Sequence, residues 1–147
     1  MKTAMHKRIL FEIEKDEDGF PPVGAETVWA IDLGGNKFKI DNIPFFARDA
    51  TLGDVVEAHE TNGMLCYKQT VNRSGNSLIR IVYYPGTDPT ILITELKELG
   101  CEAELDGHDH LIAVSVPPHV PLESVQSFLQ QGSEQDRFGY EEAILMQ

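Results

Sequence analysis

The stretch that decides the fold runs from Asp41 to Val71, "DNIPFFARDATLGDVVEAHETNGMLCYKQTV". Its second half reads as a hairpin, and Thr61-Asn62-Gly63 carries that reading. Asn-Gly between two apolar-rich runs is the strongest short hairpin signal, since both residues tolerate positive φ. Asp54 to Glu60 is therefore a strand, and "MLCYKQTV" runs back beside it. The first half sets Ile43, Pro44, Phe45 and Phe46 side by side in a polar chain. Pro44 holds Asn42 and Ile43 in an extended or turning backbone. Phe45 and Phe46 then point opposite ways. They plug a core or face a partner. The reading here is a plug or wedge, with one Phe filling the mouth of a small barrel, the other resting on the helical half, and Gly53-Asp54 as the turn that restarts the sheet.

The same strand-and-turn style extends outward. Ile9, Phe11 and Ile13 alternate against polar neighbours, interrupted only by Leu10. "KDEDGFPPVGAE" reads as an exposed loop. "TVWAIDL" has Val28 and Ala30 on one side and Trp29 and Ile31 on the other, and Trp29 is expected in the core. Gly34-Gly35-Asn36 turns into "KFKI", with Phe38 and Ile40 facing one way. Ser74-Gly75-Asn76 turns into "SLIRIVYY".

Beyond Tyr84 the pattern changes. Asp88 is a good N-cap ahead of Pro89. Ile91, Leu92, Leu96 and Leu99 share a helical face, and Gly100 ends the helix. Cys101–Asp106 is a strand, Gly107 a turn, and "HLIAVSV" a strand buried on both faces, including Val114. Pro121 opens a second helix with Leu122, Val125, Phe128 and Leu129 on one face, ending near Gly132. "RFGYEEAIL" is a last strand or a short helix.

The fold class predicted is α+β. A small curved β-sheet or partly open barrel fills residues 1–76, and a ferredoxin-like βαββα half fills 77–147. The strand from Ser77 to Tyr84 is shared by both halves, which pack as one unit.

The 147 residues suffice for such a core, and the apolar run Ile9-Leu10-Phe11 near the start is too short for a secretory signal or a membrane span. A cytoplasmic address is expected. Cys66 and Cys101 lack CxxC spacing and read as small semi-buried residues. Residues 85–147 hold two basic and twelve acidic side chains, a net of −10 out of −12 for the chain. Such an imbalance disfavours nucleic acid and anionic membrane as ligands and suits a basic protein partner.

Catalytic frameworks are missing: no GxSxG, no phosphate-binding Gly-Lys-Ser/Thr loop, no HExxH and no GxGxxG. His108-Asp109-His110 has metal-like residue types, with His119 or Asp106 as a third ligand, but reads as a polar turn into a buried strand. No metal, cofactor or catalytic residue is expected. The candidate partner-binding residues are Glu95, Glu98, Glu102, Glu104, Asp106 and Asp109.

The pieces "WAIDLGGNKFKIDNIPFFARDATLGDVVEA", "SGNSLIRIV", "LKELGCEAEL" and "LIAVSVPP" together resemble the bacterial domain-of-unknown-function family numbered 4265, from about Arg8 to Tyr140. The resemblance implies a small soluble bacterial protein and brings no site residues. The function expected is a non-catalytic acidic protein-binding module, most concretely an immunity protein that neutralises a toxin with a basic active-site face. The alternatives are a small-molecule-sensing regulatory module and an enzyme with an unrecognised site.

Overall fold

A computed structural model describes residues 6–15, 17, 24–106 and 110–147. The chain divides into two compact units, Met1–Ser74 and Gly75–Gln147.

The first unit is a barrel of β1 (His6–Glu12), β2 (Ala25–Gly34), β3 (Lys37–Ile40), β4 (Val55–Thr61) and β5 (Met64–Asn72). Consecutive strands pair antiparallel, so with five strands the first and last run the same way. The barrel accordingly closes through a parallel pairing of β1 with β5 at Ile9↔Leu65 and Leu10↔Cys66. The sheet is thus closed, where the sequence suggested a sheet or a partly open barrel. Leu10, the one break in the β1 alternation, belongs to this closing pair. Residues 54–71 contain no helix, and Asn62 and Gly63 take φ of 54° and 81° in the hairpin turn. Register shifts at Asp32/Gly34, Val55/Val56 and Glu57/Ala58 mark irregularities of the kind that bend strands round a small barrel.

The interior holds Ile9, Phe11, Val28, Ala30, Phe38, Ile40, Val56 and Ala58, with Ile13, Leu65 and Tyr67 packed against them. Trp29 does not join them: it is 48% exposed. Both faces of β2 are apolar, and the phase that turns the smaller Val28 and Ala30 inward leaves the interior to Phe11, Phe38 and Tyr67.

The 41–54 connection contributes Ala47 and Ala50 to the same core. Ile43 and Pro44 are buried, while Phe45 and Phe46 are both half-buried. Neither ring is the fully buried plug expected, because the smaller side chains of the segment take the interior positions.

The second unit runs β6 (Ser77–Tyr83), α1 (Pro89–Glu98), β7 (Glu102–Asp106), β8 (Leu111–Val116), α2 (Leu122–Glu134) and β9 (Phe138–Ile144). Its four strands form an antiparallel sheet in the order β7-β8-β6-β9. Both edges of β6 pair within this sheet, with β8 and β9, so its ladder is not shared with the barrel. The closing segment is a strand. Its core gathers Ile79, Ile81, Leu92, Leu96, Ile112, Val114, Val125, Leu129 and Phe138.

Asp88 caps α1 by accepting from the Thr90 N–H at 2.9 Å. At its other end Gly100 N–H donates to Lys97 O and Cys101 N–H to Leu96 O, with Gly100 at φ +100°, a Schellman closure. Ile91, expected on the inner face, is 57% exposed; Leu92 and Leu96 carry that face with Ile93 and Leu99 beside them. Phe128 is half-buried rather than buried, and α2 continues past Gly132 to Glu134.

Gly132 is a contact point, not a terminator. A Cβ placed there would lie 2.2 Å from the Phe138 ring, which is fully buried and has little room to yield. Gly132→Ala is expected to destabilise this unit by about 1–3 kcal/mol through overpacking, outweighing the ~1 kcal/mol that Ala gains in helix propensity. Denaturant unfolding followed by far-UV circular dichroism measures it; a stabilised variant would refute the close approach.

Candidate functional site

The acidic residues of the second unit fall on two elements. Glu95 and Glu98 lie on α1, and Glu102, Glu104 and Asp106 alternate along β7. Period-two spacing puts these last three on one face of the sheet, opposite Ser115, Ala113 and Leu111 of β8. Ala103, between them, packs on the helix-covered core. Strand β7 is an edge: among the described residues its sheet partner is β8 alone. Glu98, Glu102 and Glu104 are exposed, as is Leu105, and Asp106 is half-buried. Glu95 is paired with the Arg137 guanidinium, and Glu104 and Asp106 also have interactions of their own. Asp109 lies outside the described residues.

The possible metal group is described only in part. Among the described residues no three His, Cys, Asp or Glu side chains are placed to hold an ion. His110 stands at φ +55° before β8 with its ring 5.1 Å from that of Tyr83, and His108 lies outside the described residues. Cys101 is buried, which pushes its thiol up to about 11 and keeps it protonated at neutral pH. A thiol in that state is a poor nucleophile.

The barrel carries features that sequence reading missed. Trp29 stands on the outer wall, with the Arg8 guanidinium 5.3 Å from its ring centre and the Thr27 hydroxyl holding Arg8 at 2.7 Å. Its backbone is clamped on the other side, the N–H donating to Asn42 Oδ1 and the carbonyl accepting from Asp41 N–H. His6 Nε2 meets Asp41 Oδ2 at 2.7 Å. A hollow of about 350 Å³ lies among His6, Trp29, Asp41 and Asn42. On β4 the Glu57 carboxyl is held below its ordinary value, chiefly by the hydrogen bond to His59 and then by that from Gln69.

A larger recess, about 770 Å³, opens at the end of the barrel where β1 and β5 begin and β2 and β4 finish. Lys7, Arg8, Asp32, Asn36, Phe38, Glu60 and Leu65 are among its lining residues. The opposite end is occupied by the 41–54 connection, which is tied down by carboxylates. Glu26 accepts from the N–H groups of Phe45, Phe46 and Ala47 at 2.6, 2.9 and 2.8 Å. Asp54, 1% exposed, accepts from Thr51 N–H, Ser74 N–H and Arg73.

Phe45 and Phe46, held by Glu26, and the anchor Asp54 fall within the stretch from Trp29 to Ala58 that carried the family resemblance. The family profile described as a domain of unknown function, DUF4265, matches residues 26–140. The chain belongs to the DUF4265 family. The match starts at Glu26, later than the Arg8 expected from the motifs. A crystal structure titled as that of a hypothetical protein from Neisseria gonorrhoeae is similar over 97% of both chains, with a TM-score of 0.82 and 23% identity. At that identity the likeness concerns the fold alone. No curated protein matches the chain. Among the described residues no helix is long and apolar enough to cross a membrane.

Proposed function

We propose that this DUF4265 protein is a non-catalytic module that binds a basic protein, most concretely an immunity protein of the bacterial cytoplasm that covers a toxin's basic active-site face. The observation that supports this reading is the free edge of β7, where Glu102 and Glu104 are exposed with Glu98 of α1 also in solvent. We further read the second unit as ferredoxin-like, a reading supported by the order β7-β8-β6-β9 with one helix after β6 and one after β8. In that arrangement an edge strand is available to a partner while the helices stay on the sheet's other business, the core. Glu95 contributes less than its charge suggests, since Arg137 offsets it.

Exposed charges mainly speed encounter and select partners, and salt screens them beyond about 8 Å at physiological ionic strength. The expected result is an association rate with the captured partner that falls at least about tenfold between roughly 50 and 300 mM salt. Replacing Glu102, Glu104 and Asp106 together with Lys is expected to slow association comparably while the circular dichroism spectrum stays unchanged. Surface-plasmon kinetics on wild type and triple variant decide it. A rate indifferent to both salt and charge reversal would leave the acids only the role of blunting an edge strand against self-pairing.

A further inference from the structure

The inward-facing rows of the barrel end in charge at one mouth. On β1 the row Phe11, Ile9 ends at Lys7; on β2 Val28, Ala30 ends at Asp32; on β4 Val56, Ala58 ends at Glu60. The apolar positions of these rows are buried, and Phe38 and Leu65 lie beneath the charged rim. This is the recess of about 770 Å³, within the range of small-molecule sites, and barrel mouths are a common place for them.

Four charged residues line it, and two are already engaged. Asp32 accepts from Gly34 N–H at 2.8 Å, and Arg8 is held by Thr27 and the Trp29 ring. Among the described residues the side chains of Lys7 and Glu60 have no hydrogen-bond or ion-pair partner. They stand on β1 and β4, with β5 between; Glu60 and Ile9 both pair with Leu65, so two strand spacings, roughly 9–10 Å, and a two-residue step along β1, roughly 6–7 Å, put about 12 Å between their backbones. Leu65 of that intervening strand and the rim residue Met64 offer apolar surface between the two charges.

We propose that this mouth binds a small zwitterion, a solute with a carboxylate at one end, an ammonium at the other and a short apolar stem between. Lys7 takes the carboxylate, Glu60 takes the ammonium, and the stem rests on Leu65 and Phe38. Either charge alone would satisfy half of the site and leave the other half unpaired. The assignment is independent of the β7 edge and of any protein partner.

The probe is 6-aminohexanoate, with hexanoate and hexylammonium as its single-charge counterparts. Titration of the whole protein is followed through the backbone amide NMR shifts of Asn36, Gly63 and Leu65. The zwitterion is expected to move these amides in a saturable way, with each single-charge analogue at least about tenfold weaker, the ratio that 1.4 kcal/mol gives. Lys7→Gln and Glu60→Gln are each expected to weaken 6-aminohexanoate by a similar factor, whereas Lys39→Gln, on the outer wall, leaves it unchanged. Equal binding of hexylammonium would make this a plain cation site and overturn the assignment, as would amides that no probe moves.

Discussion

Asp54→Ala is expected to cost the barrel about 2–5 kcal/mol, because two backbone donors lose their acceptor at about 1–3 kcal/mol each. The carboxylate is 1% exposed and holds three donors at 2.8–3.1 Å: Thr51 N–H, Ser74 N–H and the Arg73 guanidinium. Two of these are backbone groups on different segments, the turn before β4 and the exit of β5. Asp54 therefore joins the start of one strand to the end of the next. Alanine leaves both N–H groups without an acceptor, and an unsatisfied buried donor costs about 1–3 kcal/mol on its own. Asn keeps one acceptor oxygen and is expected to lose roughly half as much. Arg73→Ala should cost least of the three, because the Arg73 side chain is 42% exposed and both backbone bonds to Asp54 survive. Trp29 is the only tryptophan of the chain and lies in the barrel, so its fluorescence in urea follows this unit separately from the other. A loss under about 1 kcal/mol for Asp54→Ala would show that water satisfies these groups and that the carboxylate is no anchor.

What could be read in advance follows from how local each signal is. The alternation of Ile9, Phe11 and Ile13, the Asn62-Gly63 turn, the Asp88 cap and the Gly100 stop each depend on a few consecutive residues. All four survive in the structure. The phase of β2 was not legible, since hydropathy alone cannot choose between Val28/Ala30 and Trp29/Ile31; the packing inside the closed barrel chooses. The same holds for Gly132, which resembles a helix stop in sequence and serves in the structure as clearance for Phe138. The acids of β7 were visible as a run. The Arg137 that offsets Glu95 was not, being 42 residues away. The charged mouth was invisible for a related reason: Lys7, Asp32 and Glu60 end three different strands, and only closure of the barrel brings those ends together.

The Pro44-Phe45-Phe46 segment shows the same dependence on distant residues, and it carries the second large effect. Glu26→Ala is expected to cost about 2–4 kcal/mol, because three successive N–H groups converge on this one carboxylate. Backbone donors aimed together at an anion form a concave nest, and hydrogen bonds to a charged acceptor are roughly twice as strong as neutral ones. Glu26 is half-buried, so water can reach part of the vacated site, which keeps the loss below the simple sum of three such bonds. The segment's backbone is thereby fixed by an acid at the start of β2, not by burial of either phenyl ring. It follows that removing the rings should do less than removing the acid. Phe45→Leu and Phe46→Leu, both at half-buried positions, are each expected to cost about 1 kcal/mol or less. Hydrogen exchange separates the two accounts directly. In Glu26→Ala the amides of Phe45, Phe46 and Ala47 should lose protection selectively, while those of Phe11 and Val28 in the barrel wall keep most of theirs. Glu26→Gln should fall between, retaining one acceptor oxygen without the charge. If instead the Phe substitutions proved the costlier and the three amides stayed protected in Glu26→Ala, the rings would be the anchor and the carboxylate incidental.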